Sequence, residues 1–280
     1  MEVLVVGNTA YVDDDFCAKA FPEDHVQVVA AQDTRRDESS PHSSWKELLQ
    51  HLDQAYEFDR MVYLSNYLTP HTDNVGDIEL LRSVFRACAG RRVQLLYVAG
   101  PAGAEGATDA AGRTGKGIIA RAANDLCRYY AAREGVQTKI LRVPFLYTAS
   151  AALEDPFLVP LFDACSTGSV ALQGAQDAAF PLLCAEELAV LVRRIFDSWD
   201  GNFETLDVAD TFHHTAGEVG DALKALFPGL AVAYGDSAGY ALPASDVARV
   251  RYGWFQRYDP LRDLSTIQVR WDAGRAKKVN

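Results

Sequence analysis

A chain of 280 residues is long enough for one large domain, or for a large and a small one sharing a core. Apolar residues at 49% and charged residues at 23% are ordinary for a globular protein, and a formal charge of −11 excludes a general nucleic-acid binder, which needs a basic face. No apolar run approaches the ~18 residues of a membrane span and no basic leader precedes the first strand, so the sequence predicts a cytoplasmic protein with no membrane contact.

In chain order, Val3, Leu4, Val5 and Val6 form an apolar run ending at Gly7, the pattern of a buried strand entering a tight turn. A short helix over 14–20, a strand over 25–31, a polar loop over 32–44 and a helix over 45–56 follow. Further strands are predicted over 60–64, 93–99 and 138–143, separated by helices over 74–89 and 118–133, with a Gly/Ala-rich loop over 100–117. This βαβ rhythm predicts an α/β fold built on a Rossmann-type, doubly wound parallel sheet. After Pro144 the rhythm loosens: helices are expected over 157–164, 186–198 and 215–226, with short strands over 180–183 and 205–208. Residues 1–145, with 178–210 returning to them, are read as a nucleotide-binding domain. Residues 146–177 and 211–280 are read as a smaller C-terminal substrate-binding portion. Cys17, Cys88, Cys127, Cys165 and Cys184 are widely spaced and odd in number, the usage of buried structural thiols, and no metal-ligand spacing occurs.

The turn after the first strand departs from a dinucleotide fingerprint. Further glycines belong at positions 10 and 13, or at 9 and 12, where this chain has Ala10 and Asp13, or Thr9 and Val12. Asp13, Asp14 and Asp15 suit a helix N-terminus but repel a phosphate from the same place.

Six segments in order carry a resemblance to the extended short-chain dehydrogenase/reductase family, specifically its nucleotide-sugar epimerases and dehydratases. They are Val3-Leu-Val-Val-Gly7, Phe58-Asp-Arg-Met-Val-Tyr-Leu-Ser65, Asn74-Val-Gly-Asp-Ile-Glu-Leu-Leu81, Leu95-Leu-Tyr-Val-Ala99, Ile140-Leu-Arg-Val-Pro-Phe-Leu-Tyr147 and Leu182-Leu-Cys-Ala-Glu-Glu-Leu-Ala189. Asp246-Val-Ala-Arg-Val-Arg-Tyr-Gly-Trp254 is similar to the family's helix before Leu-Gly-Trp. The resemblance implies NAD or NADP over Gly7, Asn8, Thr9, Ala10, Tyr11 and Val12, with Asp33 at the adenosine ribose and Ser65 beside the cofactor. Arg35 or Arg36 would meet a 2′-phosphate. Pro101, Tyr147 and Arg251 become candidates for the substrate pocket. The resemblance also implies a dimer, with itself or with a related chain, through helices 74–89 and 118–133, with Leu81, Phe85, Leu126 and Tyr130 as anchors.

At the catalytic positions the match fails. The family's Tyr-x-x-x-Lys pair supplies a general acid/base and a lysine that lowers its pKa. The register set by Asp125-Leu-Cys-Arg128 puts Gly117 at the tyrosine and Arg121 at the lysine. Glycine carries no proton, and arginine stays charged. The serine region reads Ala99-Gly100-Pro101.

Other polar features have plain readings. His213-His214 is a helix-entry surface pair without a third metal ligand at recognisable spacing. Tyr129-Tyr130 are core or dimer-face aromatics. Gly115-Lys116 lacks the other residues of a phosphate-binding P-loop. The tail carries Arg249, Arg251, Arg257 and Arg262 among Tyr252, Trp254, Phe255 and Tyr258: either a phosphate clamp or a helix with snorkelling arginines. Three functions follow. The first is a pseudoenzyme that binds a nucleotide-sugar-like ligand or serves as a structural subunit. The second is an active NAD(P)-dependent epimerase, dehydratase or reductase with replaced acid/base groups; the third is a non-redox lyase or isomerase in a rebuilt pocket.

Overall fold

The computed structural model describes residues 1–7, 11–30, 57–65, 76–101, 115–148, 155–208, 211–236 and 245–279. In chain order the first half gives β1 (Glu2–Gly7), α1 (Asp14–Ala20), β2 (His25–Ala30), β3 (Arg60–Leu64), α2 (Gly76–Cys88), β4 (Gln94–Ala99), α3 (Gly115–Arg133) and β5 (Gln137–Arg142). The second half gives β6 (Phe145–Tyr147), α4 (Leu158–Ser166), β7 (Ser169–Leu172), β8 (Leu182–Cys184), α5 (Ala185–Asp197), β9 (Phe203–Asp207), α6 (Ala216–Leu226), β10 (Ala231–Tyr234), α7 (Val247–Tyr252) and α8 (Pro260–Val279).

The main sheet runs β2-β1-β3-β4-β5-β9, every pair parallel. One row across it reads Val28, Val5, Val62, Leu96, Lys139 and Glu204. Both faces are covered, which is why β1 reads as an unbroken apolar run. Val3 and Val5 face a core shared with Phe16 of α1 and with Leu188, Leu191 and Ile195 of α5, while Leu4 and Val6 face Leu81, Val84 and Phe85 of α2. The α1 helix forms because Asp13 caps it and because Phe16 and Ala20, one turn apart, are both buried. It stops before Phe21-Pro22, since a residue preceding proline avoids the helical region.

The rest of the chain builds a second core around two short parallel pairs, β6–β8 and β7–β10. There Phe162, Phe227 and Trp271 meet ring to ring, 5.6–6.3 Å between centroids. Strand β9 returns to the edge of the main sheet, and Ala248, Tyr252 and Trp254 return to the core beneath β1 and α5.

Several expectations need correction. The helix expected from 118 starts at Gly115, so 115–117 is helical rather than loop; 102–114 lies outside the described residues, as does the helix expected over 45–56. The strand expected over 180–183 sits at Leu182–Cys184, because Phe180 gives its N–H to His214 O and Pro181 has none to give. Leu81 and Phe85, expected as dimer anchors, are fully buried inside the chain. Phe85 stacks on Tyr130 at 4.6 Å, and the large apolar side chains that α3 exposes are Ile118 and Tyr129.

Candidate functional site

In a sheet of this order the chain leaves β1 for one side and returns at β3 on the other. Sheets of this order place their ligand crevice beyond the carboxyl ends of these two strands. Gly7 closes β1 against β3 so tightly that a Cβ there would come within 3.0 Å of the Leu64 Cβ. Ser65 follows Leu64, is buried, and donates its backbone N–H to Val98 O at 2.9 Å. Tyr11 and Val12 turn inward and are buried, and the Tyr11 hydroxyl donates to Leu146 O at 3.0 Å. The turn after β1 is thereby tied to β6.

Right-handed crossovers bring the N-termini of α1 and α3 to this same end of the sheet. At α1 the Asp13 carboxylate accepts the Phe16 N–H at 2.8 Å, with Asp14 and Asp15 in the first turn. A pyrophosphate bound over a first βα turn needs those N–H groups and the positive end of the helix dipole. The Asp13 carboxylate already takes one of those N–H groups and Asp14 and Asp15 add negative charge to the same turn, so the described residues at this terminus do not fit a dianion. Gly117 and Arg121 fall in the first turns of α3, and Arg121 is exposed.

Beyond β6 and β8 lies a buried acidic cluster that sequence reasoning did not anticipate. Asp155 is fully buried; its carboxylate accepts N–H groups from Phe157 and Leu158 at 2.7 Å and from Thr148 at 2.6 Å. Burial pushes the Asp155 carboxyl up to about 7 despite those donors, with the Glu186 charge adding to the rise. Glu186 accepts from the Thr148 hydroxyl at 3.2 Å and from the Cys184 thiol at 2.6 Å. The Tyr147 hydroxyl donates to Asp263 at 2.7 Å, across 116 residues of sequence. Desolvation raises Tyr147, Cys184 and Asp263 as well. Such a cluster holds protons and accepts hydrogen bonds from hydroxyl groups; it repels an added anion. The one available sequence signal was Asp155-Pro156 ahead of the apolar run of α4, the pattern of a helix entry.

The remaining candidates scatter. Pro101 is buried just past β4, on the crevice side. Tyr147 is buried beneath α8. Arg251 lies at the opposite end of the sheet, where it pairs with Asp200 and Glu204 beside the buried Lys139. Asn8, Thr9, Ala10 and Asp33 lie outside the described residues, as do Arg35 and Arg36. His214 bonds Asp259 at 2.9 Å and so ties the entry of α6 to the start of α8, while His213 is exposed at a positive φ of 55°. Among the described residues no three His, Cys, Asp or Glu side chains are grouped to hold a metal, and no helix is long and apolar enough to cross a membrane.

The chain matches no protein-family model and no curated protein. Solved structures do match along its whole length. A UDP-glucose 4-epimerase from Thermotoga maritima, determined with UDP-glucose, is 13% identical with a TM-score of 0.69, over 99% of this chain and 100% of that one. A dTDP-glucose 4,6-dehydratase from Bacillus anthracis, in complex with NAD, is 12% identical with a TM-score of 0.70, over 99% and 98%. A UDP-N-acetylglucosamine 4-epimerase from Bacillus cereus is 14% identical with a TM-score of 0.67, over 97% and 96%. With its six-stranded parallel sheet and short β6–β8 pair, the chain has the fold of the nucleotide-sugar epimerases and dehydratases of the extended short-chain dehydrogenase/reductase family.

Proposed function

We propose that this chain is a diverged epimerase/dehydratase-like protein that has lost Tyr/Lys redox chemistry and acts as a ligand-binding or structural subunit. The observation that carries this reading is the Asp13 cap on α1, which places a carboxylate where a dinucleotide would bring its phosphates. The resemblance adds Gly117 and Arg121 in place of a proton-transferring tyrosine and its lysine. In this reading the crevice beyond β1 and β3 accepts a sugar-like ligand in place of a dinucleotide. Association with a second chain, the same or related, uses the outward side of α3, where Ile118 and Tyr129 are exposed. The test is mass spectrometry of whatever small molecule leaves the denatured protein, paired with an absorbance assay for NADH formation on nucleotide sugars. The reading expects no NAD(H) in the released material and no turnover. Stoichiometric NAD(H), or turnover above background, overturns it.

A further inference from the structure

A second cleft, of about 200 Å³, opens on the outer surface between α1, α5 and the segment that follows α7. That segment is held rigidly. Gly253 ends α7 at a positive φ of 59°, and Arg194 of α5 donates to the carbonyls of Tyr252 and Gly253. Glu187 accepts the backbone N–H groups of Arg257 at 2.6 Å and Tyr258 at 3.3 Å, and the indole of Trp254 donates to Glu187 O at 3.0 Å. On this fixed backbone Phe255 and Tyr258 are half exposed, although both line the cleft. The Arg257 guanidinium lies over the Phe255 ring at 5.4 Å.

The hydrogen-bonding capacity of the two walls is unevenly spent. Both carboxylate oxygens of Glu186 accept from Thr148 and Cys184, and those of Glu187 accept from backbone. Lys19 is paired with Asp15. Arg194 is anchored by neutral carbonyls, and the Arg257 guanidinium, near enough to Glu187 to favour its charge, makes no direct ion pair among the described residues. Two guanidinium groups with N–H donors to spare stand beside exposed aromatic rings, in a cleft that Glu186 and Glu187 also line. A guanidinium fork suits a carboxylate or phosphate, and aromatic faces take a planar ring. The volume suffices, since a cavity of about 150 Å³ accepts benzene.

We propose that this cleft, independently of the crevice beyond β1 and β3, is a binding site for a small planar ring bearing one anionic group, with Arg257 and Arg194 on the anion and Phe255 and Tyr258 on the ring. The test is calorimetric titration of the full chain with phenyl phosphate and with benzoate, against inorganic phosphate and benzyl alcohol. At least one ring anion should bind saturably, at least tenfold more tightly than phosphate or the neutral alcohol; which of the two binds identifies the anionic group. Arg257→Gln and Phe255→Ala should each weaken that binding at least fivefold with unchanged melting temperature, since both side chains are exposed. Arg262→Gln, on α8 beside Asp259, should leave it unchanged. Absence of saturable binding by both ring anions, equally tight binding of inorganic phosphate, or undiminished binding in Arg257→Gln and Phe255→Ala overturns the proposal.

Discussion

The Asp13 carboxylate sits 2.8 Å from the backbone nitrogen of Phe16, so the first turn of α1 carries its own anion. Removing that cap with Asp13→Ala should cost about 1 kcal/mol, by the usual worth of an N-cap, while Asp13→Asn should retain most of it. For a chain of this size the alanine variant should melt ~2–4 °C lower, which calorimetry resolves. Equal melting temperatures for the wild type and Asp13→Ala would show that the cap contributes nothing.

Tyr11 joins the turn after β1 to the small β6–β8 pair through a buried hydrogen bond to Leu146 O. Tyr11→Phe keeps the ring but strands that carbonyl, a loss of about 1–3 kcal/mol. Urea unfolding should show a lower midpoint at unchanged slope. A midpoint within error of the wild type would mean that another donor takes over the carbonyl.

Asp155 makes stability fall as pH rises. Its carboxyl titrates near 4 in the unfolded chain and at about 7 when folded, so the folded state holds the extra proton between those values. The unfolded state binds fewer protons there, and folding stability declines from about pH 4 to about pH 7. Glu187 and Asp263 are also raised by burial and act in the same direction. Asp155→Asn should therefore lower the slope of stability against pH without abolishing it. Urea unfolding across this range measures that slope, and an identical slope in the variant would remove Asp155 as its source.

Phe85 belongs to the interior. It is fully buried under the main sheet and stacked on Tyr130, so Phe85→Ala should destabilise the chain by about 3–5 kcal/mol, the usual cost of emptying a core aromatic site. Tyr129→Glu, on the exposed side of α3, should leave stability within about 0.5 kcal/mol. If the outward face of α3 joins two chains, that variant alone should lower the mass seen by light scattering. An unchanged mass assigns the contact elsewhere.

Elements with strong local signals were legible in the sequence. The α1 helix lies at 14–20 as expected, because Asp13 caps it and Pro22 follows it. The α6 helix starts after Thr215, whose hydroxyl and Glu218 form a reciprocal capping box. Strands β1, β3 and β4 are apolar runs that pair on both sides. The strands β6, β7 and β10 have only three or four residues, and Pro144 masks the first of them. The end of the crevice was legible from Gly7, whereas the acidic cluster was not. Asp155 reads as an ordinary helix-entry residue, and Glu186 as a favourable first-turn acid. What gathers them is the parallel pairing of Tyr147 with Cys184, a contact without any local trace. Arg251 was misleading for the same reason: its aromatic neighbours in sequence suggested a pocket, but Asp200 and Glu204 hold it at the far end of the sheet.

The central claim is that the crevice beyond β1 and β3 no longer seats a dinucleotide, and thermal unfolding in rising NAD tests it most directly. A ligand at a hundredfold excess over its dissociation constant stabilises the native state by about 2.7 kcal/mol, a shift of several degrees. The account predicts no saturable rise in melting temperature at millimolar NAD, for either the wild type or Asp13→Asn. A saturable rise in the wild-type chain would contradict it.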